Sequence, residues 1–206
     1  VGPDLVEMED RTPLSWAAGN GYSEMVTLLV TRRDVNADKC DELTGETPLS
    51  RTVSKGYGGV AKLLLYRQDV NPGSVDKHSR TPLALSYAAH NGGEGVVKIL
   101  LAREDVGPES SDEEGTKPLH LTVGGGHERV VKTLLTREDF DPDSLNGEGM
   151  TPLHWAAWEG NEAMVKILLE QKEVNLDKAD MSGCTPFHYA SLYRDEGVAR
   201  ILLGQE

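Results

Sequence analysis

Every proline of this chain falls in one of two registers of a repeating unit. Six stand in Thr12-Pro13-Leu14, Thr47-Pro48-Leu49, Thr81-Pro82-Leu83, Lys117-Pro118-Leu119, Thr151-Pro152-Leu153 and Thr185-Pro186-Phe187, at intervals of 35, 34, 36, 34 and 34 residues. The other four, Pro3, Pro72, Pro108 and Pro142, each precede such a site by ten residues. A period in this range marks a stacked array, in which a unit buries its apolar face only against its neighbours. The 206 residues therefore read as one elongated domain of six units, approximately 1–41, 42–76, 77–112, 113–146, 147–180 and 181–206. With no central core to enclose a deep site, function is sought where the repeat is broken.

The fifth unit shows the local logic. Thr151 suits an N-cap, and Pro152 suits the first helical turn, where its missing N–H costs nothing. Ala156 and Ala157 let neighbouring units approach, and Gly160 can take the left-handed conformation that ends a helix. Asn161 caps a second helix whose Met164, Val165, Ile167, Leu168 and Leu169 form an apolar stripe at helical spacing. Between units, Asp112-x-x-Gly115, Asn146-x-x-Gly149 and Asp180-x-x-Gly183 carry turn chemistry and predict protruding hairpin fingers.

Thr-Pro-Leu-His, Ala-Ala, the loop glycine, Val-x-x-Leu-Leu and Asp-Val-Asn recur in one order along essentially the whole chain. This unit resembles the ankyrin repeat, and the Trp16 and Trp155 variant looks most like repeats of filamentous fungal proteins. The resemblance implies an all-α solenoid with short β-hairpin fingers. It further implies a non-enzymatic module that binds a protein or peptide through its concave groove and finger tips. A second reading makes the chain a sensor or autoinhibitory segment of a larger multidomain protein, such as a fungal nucleotide-binding signalling protein.

The net charge of −13 is unevenly placed: residues 1–80 carry 10 basic and 12 acidic side chains, residues 81–206 carry 11 and 22. An anionic surface repels phosphate backbones, which disfavours nucleic acid and anionic membrane and favours a basic protein segment. Cys40 and Cys184 lie roughly 40 Å apart at ~10 Å per unit, too far for a disulfide. Unpaired thiols, and no signal-like or membrane-length apolar run, point to an intracellular, cytoplasmic location. Val1 to Thr12 align without a gap on Val106 to Lys117, and the last residues stop where other units continue into Asp-Val-Asn. That alignment suggests a segment of a longer array, either monomeric or associating end to end through uncapped terminal repeats.

Catalytic and metal chemistry finds little support. His120, His154 and His188 recur every 34 residues, but units ~10 Å apart cannot bring them to the ~2 Å that one zinc requires. Each is read instead as bonding within its own Thr-Pro-Leu-His turn. His127-Glu128 begins a zinc-protease pattern that Val131 ends. Asp34-Val-Asn36-Ala-Asp38 mimics a calcium loop, yet Lys39 replaces the turn glycine and Gly45 the bidentate glutamate. Gly124-Gly125-Gly126 lacks the lysine of a phosphate loop. No cofactor or metal site is expected.

Departures from the unit are therefore the functional candidates. Trp158 stands where other units have Gly19, Ser54, His90, Gly124 and Leu192. With Leu192 and Tyr193 of the next unit, and Met150 and Met181 of adjacent fingers, it predicts an adaptable apolar patch. Acidic fingers carrying Asp112, Glu113, Glu114 and Glu148 flank it, a combination suited to a basic, partly apolar peptide. Arg11, Lys55, Lys77, His78 and Arg80 make the first units more cationic. Two extra residues, Ala84-Leu85, predict a bulge or longer turn in the third unit's first helix. Arg51-Thr52-Val53 and Gly58-Gly59 mark a weak point or hinge at the junction of units two and three, and the first finger holds one extra residue within Cys40 to Gly45.

Overall fold

The computed structural model of the chain describes residues 2–6, 11–41, 44–73, 83–103, 106–107, 111–112, 114–171 and 174–204. Among them, twelve helices form antiparallel pairs. These are α1 (Pro13–Gly19) with α2 (Ser23–Val30), α3 (Pro48–Ser54) with α4 (Gly58–Leu65), α5 (Leu83–His90) with α6 (Glu94–Leu101), α7 (Pro118–Gly124) with α8 (Glu128–Leu134), α9 (Pro152–Trp158) with α10 (Glu162–Leu169), and α11 (Pro186–Leu192) with α12 (Glu196–Leu202). First helices pack on neighbouring first helices and second helices on second, giving two layers.

The local causes are those of the sequence. The Thr12 and Thr151 hydroxyls accept the N–H groups of Ser15 at 3.1 Å and His154 at 3.4 Å, capping α1 and α9. Gly21, Gly56, Gly92, Gly126 and Gly160 turn between paired helices at φ of 65–76°, where a Cβ is unfavourable. In the last pair, Arg194 takes this place at φ 59°. Leu14, Leu49, Leu85, Leu119 and Leu153 are at most 1% exposed and run through one continuous core.

Leu85, rather than Leu83, occupies the register of Leu49 and Leu119. Ala88, Ala89 and Gly92 then match Ala156, Ala157 and Gly160 in burial and backbone. From Leu83 onward α5 is a continuous helix without a bulge, and the alternative, a longer turn ahead of it, falls outside the described residues. Helices α3 and α4 are likewise regular. Arg51, in place of the usual aromatic, ion-pairs with the buried Asp41 and with Glu46 at 3.0 Å.

These three fingers are tight turns held by two backbone bonds each: Asp112 N–H to Thr116, Asn146 to Met150 and Asp180 to Cys184 at 2.9–3.1 Å, with Gly115, Gly149 and Gly183 N–H returning to the Asp112, Asn146 and Asp180 carbonyls at 3.0–3.1 Å. The side chain of the first residue accepts two further N–H groups, and Gly115, Gly149 and Gly183 follow at positive φ. No strand forms among the described residues, so the fingers are turns rather than β-hairpins. In the first finger, Asp41 N–H reaches Glu46 instead, which accommodates its extra residue. Adjacent fingers are bonded, Gly147 N–H to the Glu114 carbonyl at 2.9 Å and Met181 N–H to Glu148 at 3.1 Å.

Side chains also tie units together. Asp4, Asp38 and Asp143 accept the backbone N–H of Asn36, Asn71 and Asn175, 32 or 33 residues on. The Asp34 to Asp38 segment is thereby used for stacking. Arg67 and Arg137 each grip the Asp two residues on and donate to carbonyls at the end of the preceding second helix, Val30 and Leu101. On the outer face of α2, Met25 and Leu28 are 49% and 65% exposed, whereas their counterparts Met164 and Ile167 on α10 are 0% and 5%. No helix among the described residues is long and apolar enough to cross a membrane.

Candidate functional site

On the first-helix layer, Trp158 ends α9 at 43% exposure. Its indole stacks on Tyr189 of α11 (ring centroids 6.0 Å, 21° between planes) and on Tyr193 (6.2 Å, 18°), which follows the end of that helix. Tyr193 is 51% and Leu192 70% exposed, while Met181 stands at a finger tip at 79%. The three rings converge because α9 and α11 are neighbours in one layer, so residues in matching registers face the same way. Tyr189 escaped the sequence reading because it fills the ordinary aromatic register of Trp16 and Trp155.

Met150 does not belong to this patch. It is 2% exposed, its N–H bonded to the Asn146 side chain and its carbonyl to His120, so the closing turn draws it into the core. Glu114 and Glu148 are exposed, and Glu113 lies outside the described residues. In the cationic half, Arg11 lies 5.2 Å over the Trp16 ring and Lys55 is exposed, while Lys77, His78 and Arg80 lie outside the described residues.

The field around the rings is negative. Tyr189 donates its hydroxyl to Asp180 at 2.7 Å. This bond, with burial and the charges of Asp180 and Glu148, pushes its phenol up to about 12. Burial works against the Asp180 charge, but the bonds from Tyr189, Cys184 and Ser182 outweigh it and hold the carboxyl below the usual carboxylate range.

The histidine column is structural. His154 accepts the Thr151 N–H at Nδ1 (3.0 Å), which leaves the proton on Nε2 to donate to the Cys184 carbonyl of the next finger at 3.1 Å. His120 likewise donates from Nε2 to Met150 at 2.9 Å, but its buried Nδ1 has no partner, because Lys117 replaces the threonine whose hydroxyl meets His154. No group of three metal-binding side chains assembles among the described residues.

The family model described as ankyrin repeats (3 copies) matches residues 1–76, 68–144, 85–180 and 126–206, which spans the array just described. The chain belongs to the ankyrin-repeat family. Among solved structures, the crystal structure of the ankyrin repeat domain of Bcl-3, a unique member of the IkappaB protein family, is similar at TM-score 0.80 and 25% identity, over 96% of this chain and 87% of that one. That of EF0377, an ankyrin repeat protein, is similar at TM-score 0.83 and 25% identity, over 94% and 96%. No curated protein sequence matches the chain. Ankyrin repeats serve in general as protein–protein interaction modules, and the ankyrin framework accounts for the histidines, glycines and Asp-Val-Asn segments without a catalytic role.

Proposed function

We propose that this chain is a non-enzymatic protein-binding module of six ankyrin units, whose concave groove and finger tips over the acidic half take a basic, partly apolar peptide. The observation that carries this reading is the exposed Trp158 stacked on Tyr189 and Tyr193, with the Asp180 and Glu148 charges acting on Tyr189. Large aromatic faces give binding energy at low entropic cost, and the surrounding carboxylates select cationic segments and speed their encounter. Changing both Trp158 and Tyr193 to Ala tests it. Partner capture is expected to weaken by about 30-fold, corresponding to ~2 kcal/mol, with an unaltered helical melt. Undiminished capture by a folded variant counts against the site.

A second reading rests on a separate observation, the exposure of Met25 and Leu28 where Met164 and Ile167 are covered by the preceding unit. It is that copies associate end to end through their terminal faces.

A further inference from the structure

The second-helix layer, away from the aromatic patch, holds a groove of about 670 Å³ between α6 and α8. Its lining sets Lys98, Arg129, Lys132 and Arg137 against a single carboxylate, Glu94, over an aliphatic floor at Leu101. This concentration of cations occurs in a chain whose net charge is −13. Two of the four are spent within the fold: Lys98 holds Glu94 at 2.5 Å, and Arg137 grips Asp139 and the Leu101 carbonyl. Arg129 and Lys132 are exposed and enter no ion pair among the described residues, although the Arg129 charge also acts on Glu94. The corresponding grooves carry fewer uncompensated cations among the described residues, one at Arg33 between α2 and α4. Between α2 and α4, Arg32 and Arg67 are held by Asp34 and Asp69, and between α10 and α12 Lys166 faces Glu170.

Like charges along a cleft focus its field, and at physiological salt the Debye length of ~8 Å screens the distant carboxylates that make the whole chain anionic. We propose that this groove docks an acidic segment of a protein partner, with carboxylates on Arg129 and Lys132 and an apolar side chain on Leu101. The array would then carry two recognition surfaces of opposite charge on its two layers. This inference is independent of the peptide site above, since it uses none of its residues.

Fluorescence anisotropy of the whole chain with a labelled short peptide of glutamate and leucine tests it. Binding is expected to weaken with added salt and to fall about tenfold or more in Arg129→Glu/Lys132→Glu, while Lys166→Glu in the neighbouring groove leaves it unchanged. Arg129→Gln/Lys132→Gln carries the same expectation should the charge reversal disturb folding. Absence of binding to the wild-type chain, equal binding by either double variant, or equal binding of a glutamine-for-glutamate peptide overturns the proposal. So does concentration-dependent sedimentation that the double variants abolish, which would make the occupant a second copy of this chain.

Discussion

His120 is fully buried, and burial pushes its imidazole down from the ordinary 6.5 to about 4, while His154 is shifted in the same direction by the same cause. The folded state therefore favours the neutral rings. Their contribution is complete above pH 6.5, the ordinary value, and is lost as pH falls from there towards and through the folded-state value. His120 alone should steepen the loss by up to about 1.4 kcal/mol per pH unit in this window. His120→Gln, which keeps a donor for the Met150 carbonyl, is expected to flatten the pH dependence of urea midpoints between those limits. An unchanged slope would mean that His120 titrates normally in the fold. Thr-Pro-Leu-His revealed half of this arrangement, because His154 and its own Thr151 are three residues apart. The bond to the next finger's carbonyl depends on stacking distance, which no local pattern encodes. Met150 was misplaced for a related reason: its position at a finger is visible in the sequence, but the inward closing of that turn is not.

Element boundaries followed the punctuation of the sequence where the punctuation was unambiguous. Threonine caps, prolines and turn glycines marked most helices, and the longer first finger was legible as one added residue. At α5 the repeated Thr81-Pro82-Leu83 misled, because the core selects a leucine by its distance from Ala88-Ala89 and chooses Leu85. The turn before α12 departs from the rule in another way, with Arg194 at φ 59° where the other pairs have glycine. A left-handed non-glycine residue costs about 1 kcal/mol. Arg194→Gly is therefore expected to raise thermal stability by up to that amount, offset in part by the greater freedom of glycine in the unfolded chain. A stability loss greater than ~0.5 kcal/mol in denaturant titration would show that the arginine side chain holds a contact that matters more than the backbone.

At the scale of the whole molecule, the array behaves as a line of units joined through their nearest neighbours. Its terminal faces leave Met25 and Leu28 exposed at one end and Leu203 at the other, 56% accessible. An end-to-end contact of this kind joins two different surfaces and does not close on itself, so assembly would be open-ended. Sedimentation should then show mass rising with concentration, and Met25→Glu/Leu28→Glu should abolish the rise; a single species at all concentrations would leave the ends unpartnered. Trp158, Tyr193 and the acidic fingers were legible as exceptions to the repeat, whereas Tyr189 and the cationic groove required knowing which residues the two layers bring together. The measurement closest to the central claim is selection of a random peptide library on the wild-type chain and on Trp158→Ala/Tyr193→Ala. The account expects the wild type to enrich lysine- or arginine-bearing sequences with an apolar residue, and the variant to lose that enrichment. Enrichment without basic residues, or the same sequences recovered by the folded variant, would contradict it.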